Sequence, residues 1–112
     1  MKNELPNTRL RGHFHNSRNT GFANAFAAVE AGIDTLDSSI GGIGGCPFAP
    51  NATGNISTDD LVYMLGRMGV ETGVNLEKII EASFWLEKLL KKPVPSQVAK
   101  SGIFPPKEIQ TN

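Results

Sequence analysis

Apolar residues recur along this chain with two different periods, and the alternation between them predicts its elements. The run Leu10-Arg11-Gly12-His13-Phe14-His15 reads as a short strand that ends at the turn formers Asn16 and Ser17. From Gly21 to Ala31, Phe22, Phe26 and Val29 fall on one helical face, with Ala23 and Ala27 beside them and Gly32 placed to end the helix. Ile33 to Ser39 is short enough for a second strand, and Ile40 leads from it into a loop, Gly41 to Gly54, that holds five glycines and two prolines. Beyond the loop, Ser57 or Thr58 caps a helix in which Leu61, Met64, Leu65 and Met68 recur at i, i+3, i+4 and i+7. Asp59 and Asp60 suit the positive end of that helix, and Gly69 closes it.

Asn75 then caps a longer helix running to about Leu90, with Glu77 and Glu81 early and Lys88, Lys91 and Lys92 late, the order the helix dipole favours. Phe84 and Trp85, among Ile79, Ile80 and Leu86, are assigned to the core. Pro93, Pro95, Pro105 and Pro106 forbid regular structure beyond, so residues 93–112 are expected to form an extended tail.

Strands alternating with helices imply parallel pairing through right-handed crossovers, which makes this an α/β chain. Two parallel strands leave open edges and much of each helix's apolar face uncovered. The 112 residues are therefore expected to be a single incomplete domain, cut from a larger α/β architecture or completed by a partner.

Eleven basic and eleven acidic side chains give zero net charge, so no electrostatic footprint for nucleic acid or an anionic membrane stands out. No apolar run approaches the roughly 20 residues that span a bilayer. The single cysteine, Cys46, has no internal disulfide partner, and the polar start lacks a signal sequence, so a cytoplasmic location is expected.

Chemistry is carried by few residues. His13 and His15 are two apart on a strand, which puts both imidazoles on one face, about 6.5–7 Å apart at their α-carbons and within reach of one metal ion; a hydrogen-bonded core role is the alternative. Cys46 lies within Gly41-Gly42-Ile43-Gly44-Gly45-Cys46-Pro47-Phe48-Ala49-Pro50, a loop able to aim one thiol, though its residue type on its own favours a buried, inert thiol. No Lys-Ser or Lys-Thr follows these glycines, and Cys46 and Pro47 stand where a dinucleotide loop needs its third glycine, which excludes both nucleotide readings. Asn55 has an amide oxygen suited to a hard cation, or a turn or cap role. Asp34 and Asp37 are three apart in a strand and so lie on opposite faces, which makes them ordinary strand-end residues rather than a paired acid/base device.

Taken together, the run G-H-F-H-N, the D-S-S-I-G-G-I-G-G-C-P-F-A-P loop and the T-G-N-I-S-T-D-D-L-V-Y-M-L segment resemble the hydroxymethylglutaryl-CoA lyase family, contiguously from about Leu10 to Leu90. The H-x-H pair is shared with metal-dependent aldolases and with isopropylmalate, citramalate and homocitrate synthases, whereas the G-G-C-P loop followed by T-G-N is more particular to the lyases. The resemblance implies a TIM (β/α)8 barrel of which this chain is the last two β/α units plus trailing helices. It also implies that His13, His15 and Asn55 ligate Mg2+ or Mn2+, and that Cys46, on a mobile loop, is the catalytic general acid. The implied reaction is metal-assisted retro-Claisen cleavage of 3-hydroxy-3-methylglutaryl-CoA to acetyl-CoA and acetoacetate.

The same resemblance implies that an aspartate ligand and an enolate-stabilising arginine belong to earlier strands, so the chain is expected to be inactive alone and to need the N-terminal barrel part or self-association. Asn16 departs from the family, where aspartate commonly follows the H-x-H pair. The competing readings are a related acyl-CoA-dependent synthase, which the G-G-C-P loop argues against, and a non-catalytic barrel fragment or interaction module. Because no apolar periodicity anchors the loop, a thiol reagent should label Cys46 in the native protein about as fast as in the unfolded chain. Labelling that accelerates only in denaturant would return this residue to the core.

Overall fold

The computed structural model describes residues 7–44 and 54–106. Strands β1 (Arg11–Gly12) and β2 (Thr35–Leu36) pair in parallel, with Arg11 opposite Thr35 and Gly12 opposite Leu36. They form a two-stranded sheet, the small α/β arrangement that the pattern implies. Regular pairing is shorter than the strand-like runs of sequence because the C-terminal half of each run bonds to a third segment. Ile56 N–H donates to Phe14 O at 3.3 Å, Asn16 N–H to Gly54 O at 3.4 Å, Ser39 N–H to Ile56 O at 3.0 Å and Thr58 N–H to Ser39 O at 2.8 Å. Residues 54–58 thus close over the C-terminal ends of both strands.

Helix α1 (Gly21–Glu30) makes the crossover from β1 to β2. A Cβ at Gly21 would lie 2.6 Å from Ile56 Cγ2 and 2.7 Å from His15 O, so the helix starts against the strand end where only glycine fits. The buried residues of α1 are Gly21 and Ala25, flanked by Phe22 and Val29, while Phe26 is 44% exposed. This differs from the predicted face of Phe22, Phe26 and Val29. The helix approaches the strands on its smallest side chains, and that places Phe26 on the outer side.

Helix α2 (Thr58–Arg67) is capped by Ser57, whose Oγ accepts from Asp60 N–H, and adds Leu61 and Leu65 to a core completed by Ala25 and Ile56. Phe14, Leu36, Met64 and Met68 pack around these four. Helix α3 (Leu76–Leu90) begins at Asn75, whose Oδ1 accepts from Lys78 N–H at 3.1 Å, and stops where Lys91 turns left-handed. The predicted ends of both helices are therefore observed. Phe84 and Trp85 are a correction, being 43% and 63% exposed, because the residue that α3 buries fully is Ser83, on its other face.

Asp59 and Asp60 do more than complement a dipole. Asp59, with no solvent exposure, accepts from Gly41 N–H at 2.9 Å and from the Ser83 hydroxyl at 2.5 Å. Asp60 accepts from the Ser57 hydroxyl and from Gln97 and Val98 N–H at 3.1 and 2.8 Å. Those last bonds start α4 (Val98–Ser101), so the expected extended tail is a second correction over the described residues 93–106. Val94, Ser96, Val98 and Ala99 are buried there, Ser96 N–H donates to Gly41 O at 2.9 Å, and Tyr63 donates to Phe104 O at 2.7 Å. Proline removes an N–H donor but leaves its neighbours free to dock, and small apolar residues between prolines supply the anchors. Gly41, at φ +69°, completes the junction, since a Cβ there would stand 2.8 Å from Val94 Cβ.

No helix among the described residues is long and apolar enough to cross a membrane. Removing the acceptor at this junction leaves a buried N–H and a buried hydroxyl unsatisfied, at about 1–3 kcal/mol each. Asp59→Ala is accordingly expected to destabilise the chain by roughly 3 kcal/mol in urea unfolding with little change in m-value. A change under about 0.5 kcal/mol, typical of an ordinary surface site, would contradict this role.

Candidate functional site

The register of the sheet determines which side chains meet. Side chains alternate along a strand, so Gly12 and Leu36 share the face covered by Phe14 and the helices, while positions 13 and 37 share the other. His13 Nδ1 lies 2.5 Å from Asp37 Oδ1 across that register. The His13 and His15 rings also meet, with centroids 5.1 Å apart and planes at 72°. Two imidazoles bound side by side to one octahedral ion, at ligand distances of about 2.1 Å, have centroids about 4.5–5 Å apart. The observed 5.1 Å lies just above that range.

Asn55 is brought to the histidines by backbone pairing, since residues 15 and 55 form an antiparallel bridge. Its side-chain Nδ2 is directed to Ile43 O over a long 3.5 Å contact, which leaves Oδ1, a hard oxygen, as the atom for a cation. Two imidazoles and one amide oxygen fit a Mg2+ or Mn2+ ion that keeps positions for water and a chelating substrate better than they fit a closed tetrahedral site. Among the described residues, no three His, Cys, Asp or Glu side chains cluster as a metal cage. Cys46 lies outside the described residues.

From the sequence alone Asp37 reads as an ordinary strand-end residue. The signal that would have found it is register, because a parallel pairing of Gly12 with Leu36 makes His13 and Asp37 neighbours. Asn16 contributes differently from the metal-binding candidates, its Oδ1 accepting from Gly21 N–H at 3.0 Å to start α1. An aspartate could make the same bond.

A cavity of about 470 Å³, lined in part by Asn16, Phe22, Asn55, Ser57 and Gln97, opens beside the strand ends. A larger cleft of about 850 Å³ lies along the C-terminal part of α2, between Tyr63, Arg67, Val74 and Phe104, and touches none of the candidate residues. The smaller space touches Asn55 and neither histidine.

The chain is similar to known proteins along most of its length. The family model described as HMGL-like matches residues 1–85. An (R)-citramalyl-CoA lyase of Chloroflexus aurantiacus is 51% identical over 98 residues, which cover 88% of this chain and 31% of that protein. The hydroxymethylglutaryl-CoA lyase YngG of Bacillus subtilis is 46% identical, over 88% of this chain and 34% of its own length. Among solved structures, an HMG-CoA lyase of Acinetobacter baumannii in complex with coenzyme A and 3-methylmalate superposes with a TM-score of 0.82 at 47% identity, covering 86% of this chain and 32% of that one. The chain spans about a third of the length of the relatives it matches.

Proposed function

The chain belongs to the HMGL-like family, and on that premise we propose that it is the C-terminal part of a (β/α)8-barrel lyase, a single incomplete domain over residues 1–112. Its reaction is cleavage of a carbon–carbon bond in a 3-hydroxyacyl-CoA, with 3-hydroxy-3-methylglutaryl-CoA as the substrate. The observation that carries this reading is the meeting of His13 and His15 on one strand face, with Asn55 bridged to His15.

In this reading His13, His15 and Asn55 hold a divalent cation, Mg2+ or Mn2+, at the strand ends. A bound cation supplies Lewis-acid polarisation of the substrate's hydroxyl and carbonyl oxygens. The three protein donors are neutral and orient without adding charge. The proton of the tertiary hydroxyl passes to water, from which the Cys46 thiolate later regains one, as the bond between the carbinol carbon and the α-carbon breaks. Acetoacetate leaves, and the electron pair remains on what becomes acetyl-CoA. Cys46 then acts as general acid, its thiol proton passing to that carbon.

A second reading of the substrate rests on the 51% identity to the (R)-citramalyl-CoA lyase. Citramalyl-CoA also carries a tertiary hydroxyl β to its thioester, so the same residues serve, and a 2-keto acid leaves in place of acetoacetate. The two readings differ only in what surrounds the departing group.

Three neutral donors bind a hard cation weakly, and the anionic ligand and enolate stabiliser of the family reading belong to earlier strands. Loss of one preorganised stabiliser costs about 10²–10³-fold in rate. The purified 112-residue chain with Mg2+ or Mn2+ is therefore expected to release neither acetoacetate nor a 2-keto acid, and the matching N-terminal part of a relative is expected to restore release. In the restored enzyme Cys46→Ala should lower kcat by about 10²–10⁴-fold with little change in KM. Turnover by the chain alone, or a restored enzyme indifferent to Cys46→Ala, would overturn the corresponding half of the proposal. Release from one thioester and not the other decides the substrate.

A further inference from the structure

We infer that Asp37 is a positioning residue that fixes the proton of His13 on Nδ1 and so reserves Nε2 for the cation. The inference rests on the metal reading above and adds a residue to it. A carboxylate oxygen only accepts, so the 2.5 Å contact between His13 Nδ1 and Asp37 Oδ1 requires the hydrogen to sit on Nδ1. With Nδ1 engaged, the remaining lone pair of the neutral ring lies on Nε2, at the opposite edge of the imidazole. That edge is the one left to bind a metal.

The contact follows from the backbone. Gly12 pairs with Leu36, and Asp37 N–H donates to Gly12 O at 3.2 Å, so the residues after Gly12 and Leu36 emerge side by side on the same face. A carboxylate one strand away is held by the sheet rather than by a long flexible arm. His13 and Asp37 are 54% and 40% exposed in this chain, so the pair adds little to its stability. Its consequence is orientation. Restricting the ring about χ2 holds His13 at its 5.1 Å spacing from His15, and a carboxylate behind a ligating histidine fixes the orientation of the nitrogen that faces the metal. Asp34, three residues earlier in the chain, falls on the other side of the strand and cannot substitute.

The protein holds only two histidines, which makes the ring protons individually readable. Long-range ¹H–¹⁵N spectra of the metal-free chain, labelled at histidine and assigned with His15→Gln, should show His13 as the Nδ1–H tautomer. Asp37→Ala, checked for an unchanged circular dichroism spectrum, should shift it toward the Nε2–H form that free imidazole favours in water. Ni2+, which binds imidazole more tightly than Mn2+ in the Irving–Williams order, is the metal probe. Its affinity should fall about 10–100-fold in Asp37→Ala, as for other outer partners of ligating histidines, and further in His13→Ala. An Asp37→Ala variant with the wild-type tautomer and wild-type Ni2+ affinity, alongside a weakened His13→Ala, overturns the role of Asp37 and leaves the metal reading standing. A His13→Ala variant that binds Ni2+ like the wild type overturns both.

Discussion

A carboxylate with no solvent exposure, that of Asp59, holds together the place where the helices, the root of the Gly41–Gly54 loop and the C-terminal segment converge. One oxygen accepts from the backbone of Gly41 and the other from the hydroxyl of Ser83 on α3, so a single side chain on α2 fixes two elements that are distant in sequence. Gly41 passes the constraint on through its carbonyl, which accepts from Ser96, and through its bare α-carbon, against which Val94 packs. Asp60, its neighbour, holds the start of α4 in the same way. A buried carboxylate is tolerated only where donors satisfy it, and here every donor is part of the architecture.

The functional geometry is tied to this junction through residues 54–58. That segment leads into the Ser57 cap of α2 and at the same time pairs with the ends of both strands, by the bridges of His15 with Asn55 and of Ser39 with Ser57. Placing α2 therefore places Asn55 beside the histidines. The histidines are set independently by the β1–β2 register. Two local rules, strand alternation and a helix cap, meet at one point, and the candidate cation site lies there.

Much of this could be read from residues alone. The caps at Ser57 and Asn75, the parallel pairing and the shared face of His13 and His15 all follow from local periods and local hydrogen bonding, which a sequence displays directly. What was not legible depends on contacts between distant segments. Asp59 and Asp60 carry the composition of an ordinary helix start, and nothing near them announces that their acceptors are used by residues 41, 83, 97 and 98. The exposure of Phe84 and Trp85 was hidden for the same reason, since periodicity gives an apolar stripe but not whether a neighbour covers it. The docking of the C-terminal segment is not legible because prolines report what a backbone cannot do and are silent about where it docks. Asp37 required the register, a relation between two strands.

The proposed function requires that His13 and His15 ligate the same divalent ion. It is tested most directly by pulsed electron paramagnetic resonance on Mn2+, with this chain alone ¹⁵N-labelled at histidine and completed by an unlabelled N-terminal barrel part. Two coupled histidine nitrogens are predicted in the wild type, and one after either histidine is replaced. No coupled nitrogen, or a single one that persists whichever histidine is removed, would contradict it.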